Sequence, residues 1–345
     1  MIQSFRSLTL ALSAVAVALP GAVLAQEMKF AIEEIEGSVQ DAYAQQFKEL
    51  VESQSDMSVT VYPYGALGTS QDLTELTASG VLQCTNASPG HLGALVPEIQ
   101  VFSVPYLLSD NNAVNKQVLT ESEVIHETLA GKLQEKGLEL MAMYPEGAQV
   151  WTTNKEIRKP EDFANFKMRV MTSPMLTAAY QAFGANPTPM PYSEVYGGLQ
   201  LKMIDGQVNP IFAIEEMKFY EVQDYLIFAG QQQFTTTVVC SADWFSSLPE
   251  DQQQMLQQAF SQANDYIFEV QEQYNQERLA KIKEEKPNIK IIELTPEERA
   301  AFEERAQEVR KMYVDMAGEE GKQILENLEQ EIKAAEEQVG GQTQG

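Results

Sequence analysis

The sequence predicts an α/β protein of two domains with one long helix running past both. Three observations carry that prediction. About 320 residues remain once an N-terminal leader is set aside, more than a single hydrophobic core serves. Through the first half of the chain, segments of period two alternate with segments of period three to four, the pattern of a largely parallel sheet with helices on both faces. From Pro249 to about Glu285, residues Leu256, Phe260, Ala263, Ile267, Val270 and Tyr274 recur by four and three, well beyond ordinary globular helix length.

The elements follow in order. Arg6, an apolar run from Leu8 to Leu19 and Val23-Leu24-Ala25 describe a secretory signal over 1–25, cleaved before Gln26. A Gln rather than a Cys at that junction predicts a soluble periplasmic protein without a lipid anchor. Residues 28–32 read as a strand, Val39, Tyr43, Phe47, Leu50 and Val51 as a helix face, and Val59 and Val61 as the next strand. Tyr62 to Gly68 is a loop, Ser70 to Ser79 a helix closed by Gly80, and Val81 to Thr85 a strand. Residues 138–144 and Val150 to Thr153 are further strands, between which the chain crosses into the second domain. Lys167 to Met171 is a strand there, Met175, Ala179 and Phe183 mark a helix, and Ser193 to Leu201 another. Phe234 to Cys240 is apolar and β-branched, a strand returning to the first domain. Thr295-Pro296-Glu297-Glu298 is a capping box with Pro at the first helical position, opening a helix over Phe302, Val309, Met312 and Met316. The expected division is 26–148 with 235–274 in the first domain and 149–234 with 275–335 in the second. The Gly/Gln-rich tail over 336–345 is expected to be disordered.

Composition narrows the function. The 24 Lys and Arg stand against 50 Asp and Glu, a net charge of −26, which repels nucleic acid and anionic lipid and excludes both as partners. The acids are spread along the chain as a solvated surface. Cys84 and Cys240 are the only cysteines; an oxidising compartment permits a bridge, but their separation does not assign one. His91 and His126 stand alone, without metal-ligand spacing, and read as surface or packing histidines. No metal and no cofactor is expected, and the chain is expected to be a monomer. An enzyme would be expected to show a nucleophile elbow, a phosphate loop or a metal cluster. None is present, which leaves only a lyase or isomerase working through Asp, Glu and Tyr.

Arg169 carries the chemistry that remains. It lies in an apolar strand, where a cation is costly unless an anion or acceptor meets it. A guanidinium matches a carboxylate bidentately; the partner is a ligand carboxylate or an internal Asp or Glu. Around it stand Lys167-Met168-Arg169-Val170, then Gly184-Ala185-Asn186-Pro187-Thr188-Pro189-Met190-Pro191-Tyr192, Glu194-Val195-Tyr196-Gly197-Gly198-Leu199-Gln200, Asp205-Gly206-Gln207-Val208-Asn209-Pro210 and Lys218-Phe219-Tyr220-Glu221-Val222.

This run resembles the signature of the solute receptors of TRAP transporters, and the resemblance extends over nearly the whole mature chain. It implies a clam-shell periplasmic binding protein with hinge strands crossing near 147–150 and 233–236. It also implies that Arg169 holds the ligand carboxylate, Asn209 assists, Tyr192 lines the site, and the small and large TRAP membrane subunits are partners. Val208 stands where family members commonly have Glu. Glu33 to Asp41, Leu82-Gln83, Asn86 to Gly90 and Met143 to Gly147 resemble the branch that contains ectoine-binding receptors. That branch implies an acid at Glu34 for an amidinium, opposite Arg169, although Glu34 also suits capping of the helix that follows. Of the aromatic walls it implies, Phe234 and Phe212 remain, whereas Tyr192, Ala213 and Cys84 replace larger rings. Gln149 stands where sialic-acid-type receptors carry a second Arg. The implied ligand is a small carboxylate or zwitterion of the ectoine kind, the alternatives being a sulfonate, a C4 acid or a sugar acid. Sensing through a signalling receptor is the alternative to transport.

Overall fold

The computed structural model describes residues 27–342; the expected secretory signal and residues 343–345 lie outside them. Among the described residues the strands are β1 (Glu27–Ala31), β2 (Ser58–Tyr62), β3 (Cys84–Ala87), β4 (Leu138–Ala148), β5 (Val150–Thr153), β6 (Lys167–Val170), β7 (Asn186–Pro189), β8 (Gly206–Asn209), β9 (Tyr225–Phe228), β10 (Gln233–Ser241) and β11 (Lys290–Glu293). They form a five-stranded sheet in the order β2-β1-β3-β10-β4 and a six-stranded sheet in the order β11-β9-β5-β8-β6-β7.

Alternation implied a largely parallel sheet; each sheet instead mixes parallel and antiparallel pairs. β10 runs antiparallel to β3 and β4, and β5 antiparallel to β8 and β9. These are the two strands that leave the crossing point. The chain passes from β4 through Gln149 into β5 and returns through Gln232 into β10, where the Gln149 amide donates to the Gln232 carbonyl at 2.9 Å. Each therefore runs outward from the hinge, opposite to strands whose carboxyl ends face it. The prolines of β7 are tolerated because it is an edge strand. The strand expected at Val81–Thr85 begins only at Cys84, since the Val81 and Leu82 amides are spent on the Leu76 carbonyl at the end of helix Ser70–Ala78.

Cys84 and Cys240 face each other across β3 and β10 and are disulfide-bonded. The spacing along the chain could not show this; the sheet register does.

The long helix spans Glu250–Glu285. Its Leu256, Phe260, Ala263 and Ile267 pack with Phe30, Tyr43 and Phe47 on the first lobe, while Ile282 packs with Val150, Ile214 and Phe219 on the second. Between them Asn275 donates to the Glu146 carbonyl at 2.7 Å and accepts from the Phe212 amide at 3.2 Å, tying the helix to both lobes at the hinge. The last helix, Pro296–Gln342, is broken at Gly318, whose φ is +70°. Beyond that break Gln338 accepts from Gln117 at 2.6 Å and Glu331 from the Val124 amide at 3.3 Å, so this stretch lies on segments of the first lobe. The sequence assigned 319–335 to the second. Residues 336–342, expected to be disordered from composition, continue the helix, with Ala335 buried and Val339 packed on the core.

Candidate ligand-binding cleft

A cavity of about 280 Å³ lies between the lobes. Parallel strands deliver its walls from their carboxyl ends, where open α/β sheets bind ligands. Glu33 and Glu34 follow β1, Tyr64 follows β2, and His91 follows β3; from the other lobe come Arg169 on β6, Met190 and Tyr192 after β7, and Asn209 ending β8. Gln149 and Phe234 line it at the hinge.

Arg169 is buried, 4% exposed. Its Nε and Nη2 both donate to the Met190 carbonyl, at 3.1 and 2.8 Å, which fixes the plane of the guanidinium. Burial pushes its pKa down to about 10, with the Tyr192 and Tyr64 rings nearby, so it stays charged at neutral pH. Among the described residues no Asp or Glu forms an ion pair with it, so the internal-partner alternative is not what this structure contains. The result is a desolvated cation in a cavity wall, held by one carbonyl and short of an anion. Asn209 is oriented by donating to Gln207, which in turn donates to Thr152 at 3.2 Å. Tyr64 and Tyr192 meet edge to face across the cleft with centroids 5.7 Å apart.

The acidic wall is more elaborate than the sequence suggested. Glu34 accepts from the Gln40 amide at 3.4 Å, near the start of helix Val39–Gln54, so it lines the cavity and serves the helix terminus at once. Burial, and next the neighbouring Glu146 carboxyl, hold its pKa well above the ordinary carboxylate range. Glu146 is fully buried, accepts from Gln40 Nε2 at 2.9 Å, and is pushed up to about 7, chiefly by desolvation. Glu216, at the end of helix Ile211–Glu216, is pushed up to about 9 by burial and then by Glu34. These carboxyls cluster with too little positive charge to ionise together.

Three expected wall residues lie elsewhere. Phe212 and Ala213 are buried in the first-lobe cluster with Met28 and Tyr144, against which Tyr192 packs from the cavity side. Cys84 is spent on the disulfide in the same cluster. The motif run located their neighbourhood but not the face each would present. Conversely, Tyr64 and His91 line the cavity without having been singled out. Tyr64 had marked only a loop, and His91 had looked solitary because its partner Glu33 is 58 residues away in sequence.

Two lobes, a hinge of crossed strands and a buried unpaired cation in the cleft between them define a solute receptor of the clam-shell class. The model of the bacterial extracellular solute-binding proteins of family 7, the DctP family, matches residues 30–316, and the chain belongs to that family. It is 41% identical over 340 residues to the ectoine-binding periplasmic protein TeaA of Halomonas elongata, covering 98% of this chain and 100% of that protein. It is also 41% identical over 324 residues to the ectoine/5-hydroxyectoine-binding periplasmic protein UehA of Ruegeria pomeroyi, covering 94% and 96%. The solved structure of the Halomonas elongata ectoine-binding protein superposes with a TM-score of 0.88 at 43% identity, over 90% of this chain and all of that one.

Proposed function

We propose that this protein is the periplasmic receptor of a TRAP transporter, taking up a small zwitterionic carboxylate of the ectoine kind and presenting it to the membrane subunits as a monomer. The observation that carries this reading is Arg169, a buried guanidinium with no acid partner, sharing one cavity with the Glu34 carboxyl. A ligand carboxylate satisfies the cation. A cationic amidinium or ammonium at the other end of the ligand favours ionisation of Glu34, whose proton it displaces. A cavity of about 280 Å³ suits a small solute rather than a polymer. Binding is the reading this arrangement supports, because Arg169 and Glu34, facing one cavity, suit the recognition of a charged solute. Ligand contacts drawn from both lobes stabilise the closed state by their differential affinity for it, and closure is what the membrane partner reads.

Mass spectrometry of the solute retained by purified protein identifies the ligand, and calorimetry with Arg169→Ala tests the site. Loss of a desolvated charge-assisted pair weakens binding by about 2 to 5 kcal/mol. An unchanged affinity overturns the assignment.

A further inference from the structure

We propose that His91 is the residue with which this receptor reads a hydroxyl group on its ligand, an inference that rests on the receptor function and narrows the solute class. The imidazole sits in the cavity wall on the short helix Pro89–Leu92 that follows β3. Its Nδ1 lies 2.8 Å from Glu33 Oε1 and 2.9 Å from Ser88 Oγ. The second oxygen of Glu33 accepts from the Ser88 amide at 2.8 Å, and the Glu33 amide is itself held by Gln40 Oε1 at 2.8 Å, so the carboxylate cannot swing away. A carboxylate oxygen only accepts, so the proton of the neutral ring resides on Nδ1.

The tautomer decides what the cavity meets. With Nδ1–H committed to Glu33, the neutral ring turns a lone pair on Nε2 to the ligand, and the carboxylate behind it fixes the ring's orientation. Nε2 has no hydrogen-bond partner among the described residues. A lone pair beside a carboxylate repels a ligand anion, which Arg169 takes on the opposite lobe. It also differs from Glu34, whose carboxyl suits the cationic end. A hydroxyl on the solute supplies the donor that Nε2 accepts from, a neutral group that neither Arg169 nor Glu34 engages through charge. Glu33 is then a positioning residue acting through the ring. In the closed cleft, a ligand lacking the hydroxyl leaves Nε2 unsatisfied, which is the source of discrimination.

Calorimetry at pH 8 with pairs of carboxylates that differ by one hydroxyl tests this: ectoine and 5-hydroxyectoine, proline and 4-hydroxyproline, succinate and malate. The hydroxylated member of the pair that fits the cavity should bind about three- to tenfold tighter to the native protein. The O-methyl ether of that member, which accepts but cannot donate, should lose the advantage. In His91→Leu the gap between the pair should close. A native protein that binds carboxylates without preferring the hydroxylated partner overturns the role of His91, as does a gap that survives in His91→Leu or an ether that binds as well as the alcohol. The native ether comparison stands even if the variant does not fold. Failure of every carboxylate to bind native protein overturns the receptor function itself, and this inference with it.

Discussion

Replacing Glu146 by Gln should stabilise the ligand-free protein at alkaline pH and do little near pH 4.5. Desolvation holds this buried carboxyl at about 7, against an ordinary value of 4.5. A carboxyl whose pKa is raised on folding contributes stability that is fully present below the unfolded value and lost as pH rises through the folded one. At 1.36 kcal/mol per pH unit, the native protein gives up roughly 2 to 3 kcal/mol at this position between pH 5 and pH 8. Gln keeps the carbonyl that accepts from Gln40 Nε2 at 2.9 Å, and it turns a neutral amide donor toward the Glu34 carboxyl that Glu146 now meets. Urea unfolding of protein stripped of solute, at pH 5 and pH 8, reads the effect. The advantage of Glu146→Gln over native should be larger at pH 8 than at pH 5 by about 2 kcal/mol. An equal difference at both pH values, or a variant weaker than native at pH 8, refutes the argument that desolvation of this carboxylate is what its burial costs.

Two further outcomes follow from the same walls. Glu34→Gln should weaken a ligand with a cationic end by about 1.5 to 3 kcal/mol while leaving a purely anionic ligand as tight or tighter, as calorimetry at pH 7.5 would read; an equal response from both ligand classes would leave Glu34 with only its helix-terminus role. Gly147→Ala should lower stability by about 1 to 3 kcal/mol in a thermal melt, because Gly147 has a φ of +136° and an added Cβ would stand 2.6 Å from Asn275 Nδ2. An unchanged melting temperature would show that the crossing strand yields there.

What the sequence made legible was what local pattern controls. Arg169 stood out because a guanidinium between Met168 and Val170 contradicts its strand, and the contradiction persists in three dimensions as a cation without an acid. The long helix was legible because its apolar spacing is held over many turns, and the observed span begins one residue after the expected Pro249. The strands β7, β8, β9 and β11 went unread; Asn186-Pro187-Thr188-Pro189 and Gly206-Gln207-Val208-Asn209 carry the turn formers that mark loops. Properties created by distant partners were invisible. Glu146 is an ordinary acid until Gln40 and Glu34, more than a hundred residues away, close around it. Cys84 finds Cys240 only through the register of two strands. His91 becomes more than a packing histidine only beside Glu33. Ala213 and Phe212 were misplaced for a related reason, since a motif fixes a position in the chain while the turn after Pro210 decides which way it faces.

The helix Glu250–Glu285 joins the two lobes into one unit for folding. With Leu256 and Phe260 in one core and Ile282 in the other, a polypeptide cut at the lobe boundary would leave one half short of a wall and the other with an apolar stripe bare to water. Neither half is a natural fragment. Heat or denaturant should therefore take both lobes down in a single transition, and a solute that touches only a few side chains on each rim should raise the melting point of the entire molecule. The helix shared by both cores ensures that neither lobe outlives the other.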